Sequence, residues 1–487
     1  MEITTDRIAR IIGGEWIEKP DKAISHKKVG GISIDSRTLC QGDLFWCIKG
    51  ERFDGHNFVE EAFKKGALAA VVSRPMDSCS APGRLISVQD TLKALQILAK
   101  SWREMHPCPI VAVTGSSGKT TTKELIAKIL KQRYNCLSTE GNMNNHIGVP
   151  LMLLRLEASH EVGVLELGMN HLGEIAQLTD MVKPKIGVIT NIGKAHIGLL
   201  GSVNQIIDAK SELLEGMGPD SLAVLNRDDP YYYILAERCQ NGVITVGESE
   251  KADLRIQKIE LLPSEGKTQV VMKIKEKILS LSLPILGRFI AYNLLMAIAV
   301  AMEMGCEQTD IESGIADFSP IPNRMDHQII KGIHILNDSY NANPESMHSA
   351  LSTLFECKGS ARSMAILGDM LELGSQSECL HRQLGQWLGH NKRVDFLIAY
   401  GVQAELMAQE AVKTGYPPQN VWSINNLDEI AKMAGSLLDA GDWVLIKGSR
   451  QMGLDRVASD LSELIRIRNG FKKKQWDKEE RDQCSII

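Results

Sequence analysis

The chain has 487 residues with a hydrophobic content of 44%, and its formal net charge at pH 7 is −5. This length and composition predict a globular protein of about three domains. The slight acidity gives no support for nucleic acid as a partner, because proteins that bind nucleic acids usually carry a basic excess. No apolar run approaches the ~20 residues that span a bilayer, and the N-terminus lacks the features of a signal peptide. We therefore expect a cytoplasmic protein without stable membrane association.

The first predicted domain covers residues 1–104, where short apolar runs alternate with turn residues and one helix. This pattern is typical of a small α/β domain. Ser36 and Arg37 directly follow one of the predicted strands. An arginine in that place can bind a phosphate or a carboxylate through two N–H groups, although a surface arginine is more often simply hydrated. Ser36 and Arg37 are therefore candidate substrate-binding residues.

The central predicted domain, residues 105–320, begins with a strand, a glycine-bracketed loop and a helix that starts near Lys119. This order is typical of a nucleoside triphosphate site. Loop N–H groups bind phosphates, Lys119 neutralises the outer phosphates, and the Thr120 hydroxyl can hold Mg²⁺. Val113 stands where the full motif has a glycine, so an ordinary strand-to-helix turn is the alternative. The candidate nucleotide-binding residues here are Gly115, Ser116, Ser117, Gly118, Lys119, Thr120 and Thr121.

Two later strands of the central domain lead to side chains that can hold a metal ion. Glu166 lies near the end of the apolar run 162–167, and His196 follows the run 186–190. A carboxylate at a strand end beside a phosphate loop can bind a metal ion or its water, with an unpaired edge charge as the alternative. A polar loop at 142–150 adds amide side chains, including Asn145, that can donate to phosphates or sugar hydroxyls.

A lysine is predicted on the buried face of the next helix. Helical spacing places Lys210 on the same side as Ile206, Ile207 and Leu213. Burial disfavours the ammonium, so the neutral amine becomes available for chemistry, including reaction with CO₂ to a carbamate that can bind a metal ion. The alternative is a snorkelling lysine whose stem covers apolar surface while its amine reaches water.

The third predicted domain, residues 321–487, repeats a strand followed by a helix four times. Such alternation predicts a parallel, doubly wound, Rossmann-like sheet with ligands at the carboxyl ends of its strands. Asn343 is expected to cap a helix whose first residue is Pro344, and we expect a disordered tail from about residue 470. The overall expectation is an α/β fold of three domains, in which the central one is a P-loop-type ATPase domain with a parallel sheet.

Taken together, these motifs resemble those of the Mur ligases, the ATP-dependent amide-forming enzymes of peptidoglycan precursor synthesis. The resemblance covers nearly the whole chain and rests on the phosphate loop, the Glu166 strand, the segments 191–196 and 209–212, Asn293 and Arg324. Segments 338–344, 367–374 and 444–450 are most similar to the family member that adds a dipeptide. The member that adds the third amino acid would be expected to carry a D-N-P-R motif in its last domain, and this sequence has none.

The resemblance implies a reaction and a set of roles. ATP would phosphorylate the terminal carboxylate of UDP-N-acetylmuramoyl-tripeptide, and the amine of D-alanyl-D-alanine would attack the acyl phosphate. The enzyme is expected to be a monomer. Lys119, His196 and Lys210 would be catalytic, with one Mg²⁺ on Thr120 and Glu166 and a second on His196 and carbamylated Lys210. The nucleotide would contact Asn293, Arg324, Asp338 and Asn341, the UDP-muramoyl substrate Ser36, Arg37 and Asn145, and the dipeptide Lys447, Ser449 and Arg450.

Three other functions, and a catalytically dead scaffold, stay open from the sequence. A ligase for the third amino acid or a folylpolyglutamate synthase would share the ATP-binding domain and differ in the first and last domains. A regulatory nucleotide switch would bind nucleotide without needing either peptide substrate for turnover. The lysine on the apolar face and the histidine after a strand argue against a simple switch.

Overall fold

A computed structural model describes residues 1–50, 52–76, 79–391 and 393–468, and these form three α/β units, each built on its own sheet. The predicted disordered tail lies outside the described residues. In the first unit, the five strands lie in the order β1-β5-β4-β3-β2, and only β1 pairs antiparallel. Its strands are β1 (Glu15–Trp16), β2 (Ile32–Ser33), β3 (Leu44–Trp46), β4 (Ala69–Val72) and β5 (Leu85–Ser87), and its helices are α1 (Thr5–Ile11), α2 (Lys22–Ser25), α3 (Val59–Lys64) and α4 (Thr91–Met105).

The central unit is a nine-stranded sheet in the order β14-β13-β12-β11-β10-β9-β6-β8-β7. Its strands are β6 (Ile110–Thr114), β7 (Cys136–Ser138), β8 (Val162–Glu166), β9 (Ile186–Ile189), β10 (Leu222–Asn226), β11 (Gly242–Gly247), β12 (Leu254–Leu262), β13 (Lys267–Ile274) and β14 (Lys277–Leu283). Its helices are α5 (Lys119–Leu130), α6 (Gly148–Leu153), α7 (Glu174–Val182), α8 (Ile197–Leu200), α9 (Val203–Glu215), α10 (Tyr232–Arg238), α11 (Phe289–Glu303) and α12 (Gln308–Ala316).

Burial explains the two halves of this sheet. Strands β6, β8 and β9 are buried along their whole length and pair in parallel, as expected for continuous apolar runs covered by helices on both faces. Strands β12, β13 and β14 are only partly buried and pair antiparallel with one another. These three strands therefore form an antiparallel meander.

The third unit has six strands in the order β15-β16-β20-β17-β18-β19, and only β15 pairs antiparallel. Its strands are β15 (Asp326–Ile330), β16 (Ile333–Asn337), β17 (Ser363–Gly368), β18 (Phe396–Tyr400), β19 (Val421–Ser423) and β20 (Trp443–Lys447). Its helices are α13 (Pro344–Lys358), α14 (Ser377–Asn391), α15 (Val402–Lys413), α16 (Leu427–Leu437) and α17 (Leu454–Ile467). The predicted cap of α13 is confirmed, because the Asn343 side chain accepts a hydrogen bond from the Ser346 N–H.

The central and third units touch through segments that follow parallel strands, including the first turns of helices α8 and α13. The Lys194 N–H donates to Glu345 Oε2 over 3.0 Å, and the Gly198 N–H donates to the Glu372 carbonyl over 2.9 Å. Because ligands of parallel α/β sheets bind beyond the carboxyl ends of the strands, the two units turn their ligand-binding edges toward each other. A cavity of about 710 Å³ lies between them.

Candidate active site

The phosphate loop has a backbone that requires its two glycines. Gly115 has φ +145°, and a Cβ there would lie 1.8 Å from Thr190 Oγ1. Gly118 has φ +78°, and a Cβ there would lie 2.8 Å from Asn293 Oδ1. Such φ values are available to glycine at little cost. The loop ends directly at the N-terminus of α5. Free N–H groups and the helix dipole attract an anion there.

The serines of this loop fasten it to the segment that follows β9. Ser116 Oγ accepts a hydrogen bond from the Gly193 N–H at 2.8 Å and donates to the Gly193 carbonyl at 3.1 Å. The Ser117 N–H donates to Asn191 Oδ1 at 3.0 Å. Both serines line the cavity. Because the Ser116 hydroxyl is occupied with Gly193, its contribution is to hold the loop in shape.

Lys119 lies at the first position of α5 and folds back over the loop. Its Nζ donates to the Gly115 carbonyl over 2.8 Å. Burial lowers the pKa of Lys119, while the nearby Glu166 carboxylate raises it and the Arg324 guanidinium lowers it. Lys119 therefore lines the cavity between an acidic neighbour, Glu166, that favours its charged form and a basic neighbour, Arg324, that disfavours it.

The proposed metal ligands Thr120 and Glu166 are in direct contact. Thr120 Oγ1 donates to Glu166 Oε2 over 2.8 Å, and Asn144 Nδ2 donates to Glu166 Oε1 over 2.8 Å. The carboxylate is almost fully buried at the end of β8. Hydroxyl and carboxylate oxygens are the ligands that Mg²⁺ prefers. Asn144 was missed as a site residue by the sequence reasoning, which singled out only Asn145 from this loop.

His196 meets an acid from the third unit. Its Nδ1 lies 2.8 Å from Glu372 Oε2, although the angle does not make a regular hydrogen bond. Both residues have left-handed backbone conformations, with φ 62° at His196 and 64° at Glu372. Non-glycine residues adopt this region rarely, and mostly where the surrounding structure holds them there. The sequence reasoning quoted Glu372 only as part of a family segment and assigned it no role.

Lys210 lies in α9 and is 1% exposed, so the snorkelling alternative is wrong. Within the described part of the chain it makes no hydrogen bond or ion pair. Burial lowers the pKa of Lys210 well below its ordinary value, and the positive charge of Lys119 lowers it further. The side chain is therefore a buried amine without a counter-ion, next to another cation.

Residues from α11 and the third unit complete the cavity wall. Asn293 Nδ2 and Arg324 Nε are both buried and have no hydrogen-bond partner in the described structure. Buried donors without partners are costly, and they are a common feature of ligand sites. Among the predicted site residues, those that line the cavity are Ser116, Ser117, Gly118, Lys119, Thr120, Thr121, Asn145, Glu166, His196, Asn293, Arg324, Asp338, Asn341, Lys447, Ser449 and Arg450.

Lys447 is paired inside the protein. It is 2% exposed, and its Nζ donates to Asp338 Oδ2 over 2.6 Å and to the Asn341 carbonyl over 2.8 Å. Ser449 Oγ accepts a hydrogen bond from the Leu371 N–H over 2.8 Å. Among the three predicted dipeptide residues, these two are thus engaged in holding the loops that form the cavity wall.

The predicted residues of the first unit lie apart from the cavity lining of the described structure. Arg37 is 83% exposed in its side chain and makes a bidentate pair with Asp35. Ser36 is buried, and its carbonyl accepts a hydrogen bond from Lys65 Nζ over 2.9 Å. Their predicted contact with the UDP-linked substrate stays a prediction.

Comparison with known proteins supplies the family. Residues 28–103 match the description "Mur ligase family, catalytic domain", residues 113–301 match "Mur ligase middle domain", and residues 323–450 match "Mur ligase, glutamate ligase domain". The UDP-N-acetylmuramoyl-tripeptide–D-alanyl-D-alanine ligase of Bacillus subtilis (strain 168) is 36% identical over 438 residues, which covers 89% of this chain and 93% of that protein. The chain belongs to the Mur ligase family. As a Mur ligase, it is an ATP-dependent ligase, which sets aside the non-catalytic switch.

Solved structures confirm the predicted three-domain α/β architecture. The crystal structure of MurF from Acinetobacter baumannii matches this Mur ligase with a TM-score of 0.84 and 31% identity, over 94% of this chain and 98% of that one. The MurF ligase of Thermotoga maritima in complex with ADP matches with a TM-score of 0.79 and 27% identity, over 90% and 98% of the two chains. Among the described residues of this Mur ligase, no helix has the length and apolar character to cross a membrane.

Proposed function

We propose that this Mur ligase joins D-alanyl-D-alanine to UDP-N-acetylmuramoyl-tripeptide through an acyl phosphate, with ATP converted to ADP and phosphate. The substrates are those in the names of its relatives, including the Escherichia coli (strain K12) ligase, which is 32% identical and covers 95% of this chain and 99% of that protein. The observation that supports the proposal is that the phosphate loop and loops of the third unit line the same cavity.

The chemistry brings together an anionic carboxylate and an anionic nucleotide, so the residues must offset their repulsion. The N–H groups of residues 116–119 and the N-terminus of α5 bind the nucleotide phosphates. Lys119 and Arg324 add positive charge on the two sides of the cavity. Positioning and electrostatic stabilisation of this kind supply most of the rate enhancement in phosphoryl transfer.

Thr120 and Glu166 fit a Mg²⁺ ion that accompanies the nucleotide, because both offer hard oxygen ligands at the edge of the phosphate loop. When bound, such an ion screens phosphate charge and polarises the transferred phosphoryl group. Asn144 donates to the other carboxylate oxygen and so fixes the orientation of Glu166.

We also propose that Lys210 is a carbamate in the active enzyme. The buried, unpaired amine has a strongly lowered pKa, and a neutral amine is the form that reacts with CO₂. A carbamate puts a negative charge in place of the neutral amine, which suits the positive charge of the neighbouring Lys119, and it would provide two oxygens for a second metal ion. His196 would supply its imidazole to the same ion, with Glu372 holding the ring from across the domain interface.

The dipeptide is proposed to bind at the third unit, with Arg450 as the group that meets its carboxylate. Lys447 supports this site indirectly, because it neutralises Asp338 and ties the Asn341 backbone in place. We propose a monomer, as the resemblance to the Mur ligases implies. A cytoplasmic location is proposed because ATP and UDP-linked precursors are cytoplasmic metabolites. Domain boundaries near residues 104 and 320 are supported by the ranges of the three family matches.

Phosphate release with defined substrates tests the function. We expect release only when ATP, UDP-N-acetylmuramoyl-tripeptide and D-alanyl-D-alanine are present together, with either lysine or diaminopimelate as the third residue of the tripeptide. Turnover with UDP-N-acetylmuramoyl-dipeptide and a single amino acid would instead identify a ligase for the third residue, and turnover with a folate and glutamate would identify a folylpolyglutamate synthase. Mass spectrometry of the product decides among them.

A further inference from the structure

One tyrosine contacts two arginines that the mechanism assigns to different substrates. Tyr340 lies in the loop after β16 and lines the cavity. The guanidinium carbon of Arg324 lies 3.9 Å from the centroid of its ring, and that of Arg450 lies 5.3 Å from the same centroid. Arg450 Nη1 also donates to Tyr340 Oη over 3.4 Å. The ring of Tyr340 therefore lies near both arginines, closer to Arg324, and its hydroxyl contacts Arg450.

The backbone around Arg324 is held in an unusual shape. Its two neighbours, Asn323 and Met325, are not glycines yet have φ values of 62° and 49°. The Asn323 carbonyl accepts a hydrogen bond from the Tyr340 N–H at 3.0 Å, and the Met325 N–H donates to Asp338 Oδ1 at 3.1 Å. Strained backbone of this kind persists where the surrounding structure fixes it, and it is concentrated at functional sites. The loop of Tyr340 thus holds the segment that carries Arg324.

The Arg324 side chain depends on the tyrosine ring. Its Nε is buried without a hydrogen-bond partner, and among the described residues its guanidinium makes no hydrogen bond or ion pair. The contact with the face of Tyr340 is therefore the interaction that fixes its direction. A cation on an aromatic face is attracted by the ring quadrupole, and more strongly where water is excluded.

Arg450 reaches Tyr340 from the segment that follows β20. It begins the turn that follows β20 and is exposed at the cavity. Two guanidinium groups near one ring repel each other, so without their contacts to Tyr340 each would move toward solvent. Tyr340 offers a separate attachment to each cation and so keeps both at the cavity.

We propose that Tyr340 is a positioning residue that holds Arg324 through its ring for the nucleotide and Arg450 through its hydroxyl for the incoming dipeptide. This rests on the proposed function for the dipeptide half, whereas the nucleotide half requires only ATP binding. Neither half makes Tyr340 a catalytic residue, because its contacts are with the two arginines.

Two substitutions separate the two contacts. Tyr340→Phe keeps the ring and removes the hydroxyl, so the KM for D-alanyl-D-alanine should rise about fivefold while the KM for ATP stays within about twofold. Tyr340→Leu removes both contacts, so both KM values should rise about tenfold, and calorimetry should show the same loss for ADP. The control is Tyr233→Phe, which removes a similar hydrogen bond, from Arg227 Nη2 to Tyr233 Oη, at a tyrosine that is 65% exposed.

The outcomes separate this idea from the proposed function. If the wild-type enzyme does not use D-alanyl-D-alanine, the proposed function fails, and ADP binding by Tyr340→Leu still tests the ring contact. Unchanged KM values in Tyr340→Phe, an equal rise in both of them, or wild-type ADP affinity in Tyr340→Leu would overturn the positioning role. Thermal unfolding checks that each variant folds, and Tyr340→Met is the second ring-less variant if leucine is not tolerated.

Discussion

The contact between Gly198 and Gly374 allows a direct test of how the meeting of two domains supports ligation. Gly198 lies in helix α8 of the central unit. A Cβ built on it would lie 2.2 Å from the Gly374 amide nitrogen and 2.6 Å from the Glu372 carbonyl oxygen. These atoms belong to the backbone, so they cannot rotate out of the way. Gly198→Ala must therefore separate the two segments by about 1 Å or more before an ordinary contact of ~3.5 Å returns.

The size of the effect follows from that separation. A misplacement of about 1 Å between groups that position two substrates costs on the order of 10²-fold in rate, so kcat/KM should fall by about this factor. Alanine is a better helix former than glycine by roughly 1 kcal/mol, so the central domain itself should not be destabilised. The expected phenotype is a folded enzyme with a normal melting temperature whose two domains no longer meet in the productive geometry.

Steady-state phosphate release measures kcat/KM, thermal unfolding measures the melting temperature, and small-angle scattering with bound nucleotide measures how the two domains meet. Gly218→Ala is the matched control, because it makes the same chemical change in the same domain where a Cβ meets nothing within 4 Å. The control should behave as wild type in all three. If Gly198→Ala kept kcat/KM within about twofold of wild type, closure through this glycine contact would not be needed for ligation.

Three further predictions follow from single side chains. Glu166→Gln should fold normally, because glutamine can donate to Thr120 and accept from Asn144. Its Mg²⁺-dependent turnover should nevertheless fall by about 10²-fold or more. Turnover at the wild-type rate would exclude the metal role of Glu166. Lys210→Ala should lose nearly all activity and recover part of it with acetate or propionate, and activity that survives without either acid would exclude the carbamate. Burial lowers the pKa of His327 from 6.5 to about 4, and His334 contributes to this shift. Between these two pH values the unfolded chain binds a proton at His327 that the folded chain does not. The free energy of unfolding should therefore fall as the pH drops from 6.5 toward 4. His327→Phe should flatten that fall in urea titrations, and an unchanged pH dependence would contradict the assignment.

The sequence alone determined the parts of the site that depend on neighbouring residues. The phosphate loop follows from glycines and a helix start within ten residues of one another, and the Asn343 cap follows from an asparagine directly before a proline. The position of Lys210 on the core-facing side of its helix follows from helical periodicity, because one face of an amphipathic helix must lie on the core. Each of these rests on local backbone geometry, which the residue types specify by themselves.

The pairings across the site were decided only by the tertiary structure. Lys447 and Asp338 are 109 residues apart, yet they form a partly buried ion pair because β16 and β20 are neighbours in the sheet. His196 meets Glu372 only because two separate sheets turn their carboxyl edges toward each other. Sheet order and domain contact depend on which faces pack together across the whole chain, and no local pattern encodes them. The family resemblance implied a dipeptide contact for Lys447, and the tertiary structure adds its ion pair with Asp338, which supports the cavity wall.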